Sequence, residues 1–317
     1  MSSPAFLLDR RLSPLGLDRE RRRFFDRRAV PLYVIAAVQS LMIMTAVGAG
    51  VFTWDAQLFA TFFQGVGVFL SLAFAARWIG FEKLAAPVEM FFLALTIAFL
   101  GAMLAVVLAA SALPLRDDLL GWVDRVAFGF ERTAMDGFFA ARPALMRVAV
   151  WIYNSLGMLT PLLTTWLVAA GRTGRAWTVL TAMMLTGLVA MLVMPLAPAH
   201  GAANHAFNAN IILDGVRSGE LRRLDQTVVT GLIVFPSLHA ANAVILMWGF
   251  DQFGRLGAPL VALSALVFGT ALVVGGHYLV DLVAGAALAC AAIAVALRWE
   301  RRLSVTSAGT RTNPSRR

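Results

Sequence analysis

The chain has 317 residues, 59% of them hydrophobic and only 14% charged, with a mean hydropathy of +0.75. A soluble domain carries about 25% charged residues, so the composition excludes a soluble globular protein and identifies an integral membrane one. The net charge of +9 rests almost wholly on arginine, spread through terminal tails and short loops; this excludes a nucleic-acid footprint and reads as membrane orientation.

Residues 1–29 are polar and Arg-rich: Arg10, Arg11, Arg19, Arg21, Arg22, Arg23, Arg27 and Arg28. The apolar run after them is too long for the core of a signal peptide and lacks a cleavage site. It reads as a retained first helix behind a cytoplasmic tail. A spanning helix needs about 20 mostly apolar residues. Segments 31–52, 58–76, 86–110, 148–170, 177–197, 229–250, 257–275 and 278–298 meet that need. The expected fold is therefore an all-α polytopic membrane helix bundle of about eight spans.

Charge then orients it. With the N-terminus inside, the cytoplasmic pieces are 1–30, 77–85, 171–176, 251–256 and 298–317, and they hold 19 of the 27 basic residues. Cytoplasmic loops are the ones enriched in Lys and Arg. Between the third and fourth spans, Leu119, Leu120, Val123, Ala127 and Phe128 recur at helical spacing with Asp117, Asp118, Asp124 and Arg125 between them. This pattern predicts an amphipathic helix along the outer interface.

Two of the four histidines stand in marked contexts. His239 lies in Phe235-Pro236-Ser237-Leu238-His239-Ala240, and His277 in Gly275-Gly276-His277-Tyr278-Leu279-Val280-Asp281. They are 38 residues apart, one span inward and one back, so both fall at the outer end of their spans. An imidazole at a membrane boundary is costly without a task.

His277 and Asp281 share a helix face, four residues apart. A carboxylate on one ring nitrogen fixes the tautomer and leaves the other basic, which suits a nucleophile. Gly275 and Gly276 let backbone approach a ligand, and the helix they open offers free N–H groups to an anion such as phosphate. Pro236 suits the first turn of a helix. Ser237 and nearby amides are placed to hold phosphoryl oxygens, with His239 as general acid. The bland alternative is a pair of capped helix starts, with Asp281 bonded to a neighbouring helix.

These two motifs, with Asp281-Leu282-Val283-Ala284-Gly285 completing the second, resemble the type 2 phosphatidic acid phosphatase (PAP2) superfamily. The resemblance is closest to its inositolphosphotransferase branch, the inositol phosphorylceramide synthase-like enzymes. Asp214-Gly215-Val216-Arg217-Ser218-Gly219 is also similar to bacterial members.

The resemblance implies a six-helix catalytic membrane domain over 111–298, preceded by a tail (1–30) and extra helices (31–110) and followed by a tail at 299–317. It implies a histidine at 277 that attacks phosphorus and an acid at 281 that orients it. It implies a histidine at 239 that protonates the leaving alcohol and a serine at 237 that binds phosphate. The partners it implies are a lipid phosphate and the surrounding membrane lipids.

Two departures stand out. The first motif of the phosphatase branch, Lys-x6-Arg-Pro, has no counterpart at Arg142-Pro143, and Thr270 and Ala271 stand where that branch carries Ser-Arg. A phosphate in a dry site needs cations or N–H donors, so Arg217, Arg222 and Arg223 are the candidates, with Gly276 supplying backbone. These absences favour the transferase-like branch. They also leave open a non-catalytic protein of the same fold.

His200 and His205, near Asn204 and Asn208, read as ordinary loop residues, and Tyr153 and Asn154 as packing. The single cysteine, Cys290, permits no intrachain disulfide, and no Cys/His cluster has zinc spacing. No metal or other cofactor is called for, because histidine and backbone donors suffice for this chemistry. A small-solute transporter is the alternative of another class; scarce intramembrane charge and the lack of repeated halves weigh against it.

Overall fold

A computed structural model describes residues 26–110, 113–202, 209–228 and 231–309, with side chains described to residue 303. The fold is an all-α helical bundle. In chain order it runs α1 (Val30–Gly48), α2 (Ala56–Trp78), α3 (Glu82–Ala109), α4 (Asp117–Phe128), α5 (Arg132–Ala140), α6 (Pro143–Asn154) and α7 (Leu156–Ala169). It continues with α8 (Thr173–Val193), α9 (Ala209–Ser218), α10 (Leu238–Phe250), α11 (Ala258–Val273) and α12 (Leu279–Gly309). One parallel pairing of two-residue strands, β1 (Thr53–Trp54) with β2 (Arg223–Leu224), ties the α1–α2 turn to the segment after α9.

Among the described residues, five helices are long and apolar enough to cross a membrane: those at Arg27–Gly48, Ala56–Trp78, Glu82–Ala109, Thr173–Leu196 and Leu279–Leu303. The other three expected spans are helical but shorter. The segment expected at 148–170 breaks at Ser155 into α6 and α7. Pro161, which has no N–H to give, removes a hydrogen bond from the first turns of α7. The span expected from residue 229 begins instead at Leu238, where the Ser237 hydroxyl accepts from the Ala240 amide at 3.3 Å. Pro236 has no N–H to donate to a preceding turn, and residues 231–236 before the cap are not helical. At 13 residues, α10 is about 20 Å long.

Packing is centred on α8 and α10. Helix α8 lies against α3, α7, α10 and α12, and α10 against α7, α11 and α12; α1 and α2 flank α3. Trp177, Leu163, Leu180, Leu246 and Phe250 fill the main core. Large apolar side chains cover the outside of the bundle, Leu41, Leu72 and Met158 among them. A surface of that kind is matched to hydrocarbon.

One end of the bundle is pinned by a buried polar network. The Tyr33 hydroxyl donates to Glu89 Oε1 at 2.8 Å. Arg77 pairs with Glu89 Oε2 at 2.6 Å and with Glu82 at 2.8 Å. These contacts join α1, α2 and α3.

The expected amphipathic helix is α4, and Leu119, Trp122, Val126 and Phe128 are exposed on it. Two of its acidic residues, Asp117 and Asp124, face the protein while Asp118 is exposed; Asp124 is buried and bonds the start of α12.

Candidate active site

The site forms where the non-helical segment before α10 meets the turn between α11 and α12. Three contacts dock the two motifs. The Ser237 amide donates to the Asp281 carbonyl at 3.0 Å. His277 Nδ1 lies 2.9 Å from the Val234 carbonyl. Gly285 of α12 meets Ser237: a Cβ there would stand 2.4 Å from the Ser237 carbonyl oxygen. Backbone cannot yield to that overlap, so only glycine allows α12 this close to α10.

His277 is 5% exposed. A carbonyl can only accept, so the contact with Val234 requires a proton on Nδ1. Nε2 is then the lone-pair nitrogen. Asp281, four residues on, is fully buried and its Oδ2 is 3.5 Å from Nδ1. That is longer than a good hydrogen bond; the Val234 carbonyl is the nearer orienting group. Asp281 Oδ2 also accepts from the Tyr278 amide at 2.8 Å, while Oδ1 is buried without a partner. Gly275 makes room for the ring, since a Cβ there would stand 2.8 Å from His277 Cδ2. Gly276 takes φ +67° in the turn, and its carbonyl accepts from the Ala202 amide at 2.6 Å.

One expectation is corrected. The N–H groups opening α12 are not free for an anion. Asp124 of α4 takes them from Leu279 at 2.7 Å and Val280 at 2.9 Å, and Asp281 takes that of Tyr278. A carboxylate already occupies the positive end of the helix.

His239 lies one residue into α10. Its Nδ1 is 3.1 Å from the Tyr153 hydroxyl, and the two rings stack at 3.9 Å and 10°. Tyr153 is therefore a site residue that sequence reasoning assigned to packing. Asn154 does bond locally, to the Val150 carbonyl of its own helix. Both histidines border one cavity of about 830 Å³, with Tyr153 and His200 also on its wall. Asp281 stands behind His277 rather than on that wall.

The cations sort differently from expectation. Arg217, Arg222 and Arg223 do not border the cavity. Arg223, on β2, pairs with Asp55 at 2.9 Å and is 62% exposed. The Leu58 amide and then Arg223 hold the Asp55 carboxyl below its usual range. Arg222 lies over the Phe52 ring at 5.2 Å. Arg132, which carried no role in the sequence, donates from Nη1 to the His277 carbonyl at 2.9 Å and from Nε to Asp136 at 3.1 Å. Its Nη2 is buried without a hydrogen-bond partner.

Asp117 was missed as well. It accepts from the amides of His200 at 3.1 Å and Gly201 at 2.9 Å and from the Tyr278 hydroxyl at 3.1 Å. The signal for Asp117 and Asp124 was present as acidic residues on the polar side of an amphipathic helix; what they bond was not. His200 also pairs through Nε2 with Asp214 at 2.8 Å. His205, Asn204 and Asn208 lie outside the described residues. Among the described residues no group of three or more His, Cys, Asp or Glu is placed to hold a metal ion.

A family model described as the PAP2 superfamily matches residues 117–295, more than half of the chain. It begins at the first residue of α4 and ends within α12, leaving α1 to α3 outside it. No curated protein and no solved structure matches the chain.

Proposed function

The chain belongs to the PAP2 superfamily, and on that premise we propose that it cleaves a lipid-linked phosphate or phosphodiester through a phosphohistidine on His277. The observation that carries this reading is the Nδ1 contact with the Val234 carbonyl, which leaves Nε2 as the lone pair of a histidine sharing a cavity with His239.

In the first half-reaction Nε2 forms an N–P bond as the P–O bond to the lipid alcohol breaks. His239 gives its proton to the leaving oxygen from Nε2, because Tyr153 engages Nδ1. In the second half, water or an alcohol attacks phosphorus and His239 takes its proton. The N–P bond breaks and His277 returns to its starting state.

Ser237, Gly276, Arg217, Arg222 and Arg223 are the phosphate contacts expected from sequence. Arg132 lies off the cavity wall as they do; its guanidinium holds the His277 turn through the His277 carbonyl, a positioning role rather than a phosphate contact. Asp281 supports the imidazolium side of the nucleophile. The arginine-rich pieces expected on the cytoplasmic face support a reading in which this chemistry occurs at the outer leaflet, with both termini cytoplasmic.

The acceptor decides between phosphatase and phosphotransferase. Thr270 and Ala271, in place of the phosphatase branch's Ser-Arg, favour the inositolphosphotransferase-like reading, in which an alcohol takes the phospho-headgroup.

The test is phosphate release and acid-labile phosphoenzyme formation from phosphatidic acid and isoprenyl pyrophosphates, with purified wild type and His277→Ala in detergent. Release that vanishes in the variant supports a phosphohydrolase. A phosphoenzyme without release, discharged by an added polyol, supports a transferase. Equal labelling of wild type and variant overturns the role of His277.

A further inference from the structure

We propose that His200, held by Asp214 of α9, is the phosphate-binding cation of the cavity and stands in for the arginines that do not reach it. The inference deepens the reading of His277 and His239 as the reaction centre and rests on it.

The cavity of about 830 Å³ has room for a phosphate group but little charge to hold one. Among the described residues no Lys or Arg borders it. The N–H groups opening α12 are already bonded to Asp124 and Asp281. His277 and His239 are committed to attack and to proton transfer. A phosphate dianion among apolar walls is strongly disfavoured without a charged donor. Among the described residues, His200 is the one further side chain on that wall that can carry positive charge.

The ring is placed for this role. Its Nε2 is 2.8 Å from Asp214 Oδ1. An ionised carboxylate can only accept, so Nε2 carries a proton. With a second proton on Nδ1, the imidazolium donates to Asp214 from one side and to a phosphoryl oxygen from the other. Asp214 supplies the anion that accompanies that charge. The His200 side chain is 29% exposed, so a ligand can reach it.

The backbone holds residue 200 beside the nucleophile. The Pro198 carbonyl accepts from the Arg116 amide at 2.8 Å. Asp117 of α4 accepts from the amides of His200 at 3.1 Å and Gly201 at 2.9 Å. The Ala202 amide donates at 2.6 Å to the carbonyl of Gly276, the residue before His277. Gly201 takes φ +93°, and a Cβ there would stand 2.8 Å from the Gly276 oxygen. Glycine therefore lets the two stretches lie this close. His200 is tied on one side to α4 and on the other to the His277 turn.

The test is isothermal titration of inorganic sulfate into the full-length protein in a maltoside detergent free of phosphate. Sulfate is a tetrahedral dianion like phosphate and cannot phosphorylate a histidine. Wild type is expected to bind it. His200→Gln is expected to weaken binding at least about tenfold, the scale of a lost hydrogen bond to a charged group. His200→Arg, a fixed cation that can still pair with Asp214, is expected to stay within about threefold of wild type. Asp214→Asn keeps an acceptor for Nε2 but removes the anion, and its affinity is expected to fall between the two.

No binding to wild type, or equal affinity in wild type and His200→Gln, overturns the proposal. Loss of binding in both folded His200 variants also overturns it, because residue 200 would then be a structural part of its loop. If His200→Gln fails to fold, Asp214→Asn decides, and an affinity equal to wild type overturns the proposal. A wild type that binds sulfate through His200 yet forms no phosphoenzyme would remove the phosphohistidine reading and leave this one. A protein that forms phosphoenzyme, with sulfate affinity indifferent to residue 200, would do the reverse.

Discussion

Two buried polar clusters stand in this bundle, and they are built differently. In the first, Glu89 receives both the Tyr33 hydroxyl and the Arg77 guanidinium, and Arg77 also reaches Glu82. Its charges are paired within the cluster. In the second, around His277, Asp281 Oδ1 and Arg132 Nη2 are buried without hydrogen-bond partners, and His277 borders a cavity. A closed network rigidifies the helices that share it, whereas an open one carries a standing desolvation cost that a ligand can relieve. The first cluster joins α1, α2 and α3, outside the family region; the second joins α4, α5, α10 and α12, inside it.

Exchanging damage between the clusters breaks the comparison most sharply. His277→Ala is expected to lower turnover by roughly 10⁶-fold, as removal of a nucleophile does, while thermal stability in detergent stays near that of wild type. Glu89→Ala is expected to do the reverse. It removes the buried partner of Arg77 and leaves only the half-exposed Glu82, which costs at most about 3–5 kcal/mol of stability, with turnover per folded molecule unchanged. Unfolding in denaturant and initial rates on the same preparations check both. A Glu89→Ala protein that is stable but inactive would dissolve the distinction between the clusters.

Asp124→Ala tests the boundary between them, because this carboxylate is both a cap and a support of the site. It removes the acceptor for the Leu279 and Val280 amides. Loss of a cap of this kind costs about 1–2 kcal/mol. The turn carrying His277 loosens with it, so turnover is expected to fall about tenfold, on the scale seen when an outer partner of a site is removed. Asp124→Asn, which keeps one acceptor, should recover part of both. A stability loss without any change in turnover would make Asp124 a cap alone.

What sequence shows of this site follows the distance over which its contacts act. His277 and Asp281 share one helix face, and Ser237 and His239 share one helix start. Short windows therefore reveal them as sets of residues. The contacts that place them run between elements far apart in the chain: Asp124 to Leu279 over 155 residues, Arg132 to His277 over 145 and Tyr153 to His239 over 86.

Nothing in the pattern of α4 says which backbone its acids will bond. The free N–H groups expected at α12 were thus already taken. Hydropathy identified the helices well because each needs only its own composition. It overran before α10, where the apolar stretch continues through residues 231–236, which are not helical, up to the cap at Ser237. The arginines chosen from the loop before α10 follow the same rule. Proximity in sequence to Ser237 favoured Arg222 and Arg223, while the fold brings Arg132 to the turn.

The smallest expected effect comes from one oxygen. Tyr153→Phe keeps the ring stacked on His239 and removes the hydroxyl 3.1 Å from Nδ1. If the hydroxyl only fills space, rates and their pH dependence will match wild type. As a positioning group it fixes which nitrogen of His239 faces the leaving oxygen, so turnover should fall about tenfold. Substrate KM should stay the same, because Tyr153 acts on the proton rather than on phosphate. The loss should be greatest with poor leaving groups and should shrink for a substrate with a phenolic leaving group, which needs no proton. A rate deficit equal for both leaving groups would assign Tyr153 to the architecture of α6 and leave His239 oriented by α10 alone.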